Sequence, residues 1–165
     1  MALKIIHKQT LAYHEAEDRL QLVSQGEDDE VLVFWLTRRL ADRLVTALFQ
    51  RLETPGNSAV LAWEQQLARA AFEPSAPVTV SSTARQCLVQ SIDIVPLPEG
   101  IELVFKAAFC EARFAMGGAL LRQWLGILHG WYLHAGWDTA PIWPAWFESA
   151  EQSTEIQAPA GAVFH

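Results

Sequence analysis

Residues 30–52, EVLVFWLTRRLADRLVTALFQRL, change period in mid-course. From Glu30 to Leu36 the run is almost unbroken and apolar, the pattern of a strand buried on both faces. From Leu36 the leucines recur every fourth residue, at Leu36, Leu40, Leu44, Leu48 and Leu52, with Val45 and Phe49 beside them. That spacing is one stripe of a helix, and Arg38, Arg39, Asp42, Arg43, Thr46 and Gln50 take its other faces. Thr37 stands at the N-cap position, where its hydroxyl can accept from an unpaired N–H of the first turn. A buried strand thus feeds directly into an amphipathic helix.

The same order recurs further on. Shifting the sequence by 81 positions lays residues 7–52 on residues 88–133 without a gap. Identities are Gln9 with Gln90, Leu22 with Leu103, Val23 with Val104, Glu30 with Glu111, Leu40 with Leu121, Leu44 with Leu125 and Leu52 with Leu133. The turn-forming stretch EAEDR falls on PLPEG, and LQLV then falls on IELV. Residues 3–14 and 86–95 read as leading strands, and 19–25 with 30–36 as a hairpin around GEDD. In the second copy, 101–110 reads as one long strand with a bend near Glu111.

The expected fold is a single α+β domain over residues 1–137. Its antiparallel sheet or sheets carry a duplicated strand-strand-(strand)-helix unit, with pseudo-repeats at about 3–53 and 84–135. A helix at about 58–72, capped by Asn57 or Ser58 after a Pro-Gly break, is inserted between them, and EPSAPVTVSST follows as a loop. Residues 138–165 read as an irregular arm and a poorly ordered tail.

With 165 residues, 51% of them hydrophobic and 19% charged, the chain suits one domain with a substantial core. A net charge of -7 argues against a surface that is one phosphate-binding field. The opening MALKIIHKQT lacks the apolar block of a signal peptide, so a cytoplasmic location is expected. The segment from Gly117 to Ala135 is apolar nearly all round, which calls for burial on every side or a membrane. Arg122, Gln123, His129 and His134 interrupt it, so no membrane contact is expected. One domain can bury such a helix centrally or two chains can share it; sharing in a homodimer is favoured, with Gly126 and Gly130 admitting a neighbouring helix.

Cys87 and Cys110 lie in apolar surroundings with no CxxC or Cys/His spacing, and read as small buried residues. His129 and His134 are five apart, about 140° on a helix, and no HExxH occurs. GEDDE lacks the spacing of a calcium loop. No GxSxG, phosphate loop or Cys/His nucleophile pattern appears, so no catalytic residue, metal or cofactor is expected. Arg38, Arg39 and Arg43 form the candidate basic patch. PIWPAWF displays Ile142, Trp143, Trp146 and Phe147 on an extended, proline-stiffened segment that can insert into a neighbour, although packing back onto its own body is the favoured reading. Trp124, Leu128, Trp131, Trp143, Trp146 and Phe147 are the candidate interface residues.

The repeated order of strands followed by one helix resembles, as topology over most of residues 3–135, the Whirly and related single-stranded nucleic-acid-binding regulators. That resemblance implies a four-strand-plus-helix unit, two sheets with helices packing between subunits, and unpaired bases held by rings and basic side chains. The expected function is a non-enzymatic protein-interaction or assembly module, acting as a homodimer or accessory subunit. The alternatives are a single-stranded nucleic-acid binder using Arg38, Arg39 and Arg43, and a small-ligand protein or enzyme with a Trp/His-lined pocket.

Overall fold

The computed structural model describes residues 3–153 and the backbone of residues 163–164. β1 (Leu3–His14), β2 (Arg19–Gly26) and β3 (Val31–Thr37) pair antiparallel in chain order and lead into α1 (Arg38–Leu52). β4 (Arg85–Leu97), β5 (Gly100–Ala107) and β6 (Glu111–Gly117) do the same and lead into α3 (Gly118–Ala135). Between these units lies α2 (Ser58–Ala70), and after them come α4 (Ala145–Gln152) and the short β7 (Val163–Phe164). Two parallel pairings join the units: Leu32–Trp35 against Arg85–Leu88, and Leu3–Ile6 against Glu111–Phe114. Because β1 also pairs with β2, the six long strands close into a ring. The protein is a mixed α+β fold built on one mostly antiparallel sheet.

The two units make corresponding pairings. Arg19 opposite Thr37 closes β2–β3 beside the N-cap of α1, and Gly100 opposite Gly117 closes β5–β6 beside the N-cap of α3. Thr37 caps α1 as its position suggests, its Oγ1 accepting from Leu40 N–H at 3.3 Å. Each unit has three strands before its helix, one fewer than the Whirly unit, and all lie in one sheet rather than two. The long strand expected at 101–110 is instead the first arm of a hairpin. The chain reverses over residues 108–110, where Ala107 N–H donates to the Cys110 carbonyl at 2.9 Å. That turn contains no Gly, Asp or Asn, so its composition conceals it.

Each unit also ties its second turn to its first strand, by different chemistry. Lys4 Nζ reaches Asp28 Oδ2 at 2.6 Å and also Glu30 on the β2–β3 turn. Cys87 of β4 is disulfide-bonded to Cys110 on the β5–β6 turn, which corrects their reading as unpaired apolar residues. The bond joins positions 23 apart in sequence, brought together only by the hairpin.

The inner strand faces, α1 and α3 share one core, in which Phe34 and Phe105 stack with centroids 5.4 Å apart. α3 is apolar nearly all round because its own chain covers most of it, leaving Leu133 near its end 58% exposed. Strands cover one side, while α2 and α4 cover much of the other. Gly126 admits α4: a Cβ there would meet Glu151 Oε1 at 2.3 Å. The arm after α3 folds back on the body, the arrangement favoured for PIWPAWF. Trp137 contacts Tyr13 and Tyr132, while Trp143 contacts Tyr132 and Phe49, and Phe147 also packs on Phe49. Four of the candidate interface residues, Trp124, Leu128, Trp143 and Phe147, are therefore buried by their own chain instead of forming a surface. Trp131 and Trp146 are half-buried at the margin of the same cluster. The arm contains α4 and is not irregular throughout; the tail expected beyond it falls mostly on 154–162, outside the described residues. Among the described residues no helix is long and apolar enough to cross a membrane.

Candidate interaction surface

Three features compete for a functional reading: a polar seam among the helices, the arginines of α1, and an apolar outer face of the second unit. The seam lies where α2 and α4 meet α3. Arg122 Nη2 donates to Glu64 Oε2 at 2.5 Å, Gln65 Nε2 to the Arg122 carbonyl at 2.9 Å, and Arg69 Nη1 to Glu151 Oε2 at 2.7 Å. His129 is buried with Nε2 3.7 Å from Glu148 Oε2, its ring edge-on to Trp143 and Phe147. Burial pushes the His129 imidazole below its ordinary value, against the opposing pull of Glu148. Burial likewise pushes Glu151 up, opposed by Arg69. The seam joins α2, α3 and α4, and neither groove described below is lined by His129, Glu148 or Glu151. Among the described residues no cluster of His, Cys, Asp and Glu is placed to hold a metal.

The seam has a measurable signature. A histidine kept neutral in the fold contributes stability above its unfolded value of 6.5, and that contribution is lost as pH falls from there toward the depressed folded value. Glu151 acts with opposite sign: its raised value favours the protonated form, so its contribution declines as pH rises above the ordinary carboxylate value toward its raised one. The urea midpoint should therefore drop between about pH 7 and pH 5.5, and His129→Gln should flatten that drop. An unaltered slope in the variant would assign the titration to another group.

The candidate basic patch is partly neutralised. Arg38 Nε lies 3.7 Å from Asp42 Oδ2, and its guanidinium sits 5.6 Å from the Trp137 ring centroid. Arg39 and Arg43 are exposed and make no ion pair with a described residue. Tyr132 Oη donates to Asp42 at 2.7 Å, so this carboxylate serves the α1–α3 contact as well as Arg38. Burial first, and then Asp42, drives the Tyr132 phenol well above its usual range.

The apolar face surrounds the β5–β6 turn. Phe109 is 80% exposed, and Leu88 of β4, 46% exposed, shares a groove with it. An open groove of about 520 Å³ runs between β4 and the turn, lined by Leu88, Gln90, Ala108, Phe109 and the disulfide. Charge of both signs lies beside it: Lys106, next to Ala107 of the wall, places its Nζ 2.6 Å from Asp93 Oδ2. The Phe109 backbone is held as well, its carbonyl accepting from Arg85 Nη1 at 3.4 Å. Leu88, Gln90 and Ala108 did not stand out in the sequence. Phe109 continues the alternation of β5, and only the concealed turn lifts it off the core. A second groove, of about 420 Å³, lies at the other end of β5 between the last turn of α1 and the β4–β5 turn. No family model, characterised protein or solved structure matches this chain.

Proposed function

We propose that this chain is a protein-interaction module that acts as a homodimer, joined through the outer face around Phe109. The observation that carries the reading is the exposure of Phe109 on a turn fixed by the Cys87–Cys110 bond and the Arg85 hydrogen bond. A phenyl ring held out on a fixed platform loses little conformational freedom when a partner covers it. Covering one such ring contributes about 1.5–3 kcal/mol, and Leu88 on the same groove adds to it. An apolar centre with a rim of opposite charges is the composition of a contact surface. The rim carries both signs, so two copies can meet about a twofold axis with each patch facing its like.

The correspondence between the pairings of the two units supports a further reading, that they are copies of one ancestral unit. The Cys87–Cys110 bond supports work in an oxidising compartment rather than the cytoplasm first expected.

Sedimentation equilibrium tests the assembly. The wild-type chain should show a concentration-dependent dimer in the micromolar range, and Phe109→Glu should be monomeric with little change in thermal unfolding. A wild-type chain that stays monomeric up to about 100 μM would remove self-association, since that concentration corresponds to only about 5.5 kcal/mol of binding free energy.

A further inference from the structure

The two units treat one corresponding site differently. In the first unit Trp137, only 6% exposed, lies against the β1–β2 turn and the two helices. Its Nε1 donates to Asp18 Oδ1 at 3.1 Å, its ring packs edge-on to Tyr132 at 5.0 Å, and the Arg38 guanidinium sits over it. Asp18 immediately precedes β2, Arg38 opens α1, and Tyr132 lies in the last turns of α3.

In the second unit the matching positions are Glu99 immediately before β5, Gly118 opening α3, and Leu52 at the end of α1. All three line the 420 Å³ groove, together with Leu48, Arg51 and Ile101 among others. Glu99 supplies a carboxylate where Asp18 accepts the indole N–H. Arg51 supplies a guanidinium on the wall, and the leucines supply the apolar sides. No described residue enters this groove as Trp137 enters its counterpart.

The adjacent strand edges differ in the same way. β1 pairs with β6 only over Leu3–Ile6; beyond that, on the same side, Gln9 and Thr10 pair with Phe164 and Val163 of β7. β4 pairs with β3 only over Arg85–Leu88, and from Val89 to Leu97 its opposite side is engaged with β5. Its remaining side over those residues has no strand partner among the described residues. An unpaired edge next to an apolar groove is the arrangement that receives an extended peptide, with main-chain hydrogen bonds giving affinity and one side chain giving specificity.

We propose that the groove between α1 and the β4–β5 turn is a docking site for an extended segment of a partner protein that inserts an indole side chain. The segment lies along the free edge of β4, its ring between Leu48, Leu52 and Ile101, its N–H toward Glu99 and its face toward Arg51. This site lies at the opposite end of β5 from Phe109 and does not depend on self-association.

Amide chemical shifts of the full-length ¹⁵N-labelled chain test it, in the wild type and in Phe109→Glu. The probes are the blocked pentapeptide Ac-Val-Thr-Trp-Thr-Val-NH₂, the same peptide with alanine for tryptophan, and N-acetyltryptophanamide. The tryptophan peptide should shift residues 48–52, 92–101 and 118–121, and should bind at least about tenfold more tightly than either other probe. Leu52→Glu should weaken it about tenfold; should that variant lose its dispersed spectrum, Arg51→Glu, at an exposed position, should weaken it about threefold. No shift at millimolar peptide, equal binding of the alanine peptide, or shifts that survive the groove substitutions would each overturn the proposal. Binding of N-acetyltryptophanamide as tight as that of the peptide would overturn it too, assigning the groove to a small aromatic ligand.

Discussion

Trp124→Ala should destabilise the protein by about 3–5 kcal/mol, the range for removing a large aromatic from a packed core. Trp124 is fully buried on α3, and its Nε1 donates to Gln9 Oε1 at 2.9 Å. Gln9, itself fully buried, passes the contact on, its Nε2 donating to Ser24 Oγ at 3.0 Å. The substitution therefore leaves a cavity and also an acceptor with no donor. Trp124→Phe separates these costs. It keeps most of the ring volume, so a loss of about 1–3 kcal/mol is expected, chiefly from the orphaned Gln9 oxygen. Urea unfolding of both variants checks the order, and Gln9→Leu in the Trp124→Phe background should recover part of the loss. If Trp124→Phe proves as damaging as Trp124→Ala, shape rather than the hydrogen bond dominates the site.

The buried Gln9–Trp124 pair also shows what a sequence conceals. The strand–helix junction at Thr37 was legible because the apolar period changes there, and period is a local signal. The GEDD hairpin was legible from its turn residues, and the 58–72 helix from the Pro-Gly break before it, although Asn57 at its N-cap makes no side-chain capping hydrogen bond. What joins the units was not legible. The parallel pairings of β3 with β4 and β6 with β1 involve residues with no sequence proximity, and each is only four residues long. The Cys87–Cys110 bond depends on a hairpin whose turn has no turn-like composition.

The candidate surfaces were hidden for a related reason. Apolar residues on an all-apolar helix and apolar residues on an exposed face read alike in a sequence. Trp124, Leu128, Trp143 and Phe147 carried the larger hydrophobic signal, and that signal was the core's demand for aromatic volume. Phe109 carried a smaller one and is the ring left in water. Glu99 and Arg51 gain interest only from comparison with Asp18 and Arg38, which requires knowing that Trp137 turns back between the latter pair. Asp18 itself is held below the usual carboxylate range by the hydrogen bonds from Tyr13 and Trp137, so the occupied site is also electrostatically settled.

Gly100→Ala should cost about 3 kcal/mol, the upper part of the range for forcing a methyl group into occupied space. A Cβ on Gly100 would lie 2.0 Å from the Met116 carbonyl oxygen and 2.9 Å from Gly117 Cα. Both are backbone atoms, so no rotamer change relieves the collision, and the strands must separate at the Gly100–Gly117 pair. That shift also strains the Gly118 N–H bond to the Glu99 carbonyl, 3.2 Å long, at the start of α3. Arg19 occupies the matching place in the first unit, where a four-residue turn over 15–18 precedes β2. Only Pro98 and Glu99 connect β4 to β5, so the second unit makes the tighter approach and needs the missing side chain. Gly136→Ala is the comparison that isolates this cause. Gly136 has a positive φ of 71° at the end of α3, yet a Cβ there meets nothing within 4 Å. Backbone strain alone should cost it about 1 kcal/mol. Equal losses for the two variants would mean that conformational strain, and not the closeness of β6, sets the requirement at Gly100. A much larger loss at Gly100, together with lost peptide shifts at residues 99–101, would tie the floor of the proposed groove to the strand crossing that forms it.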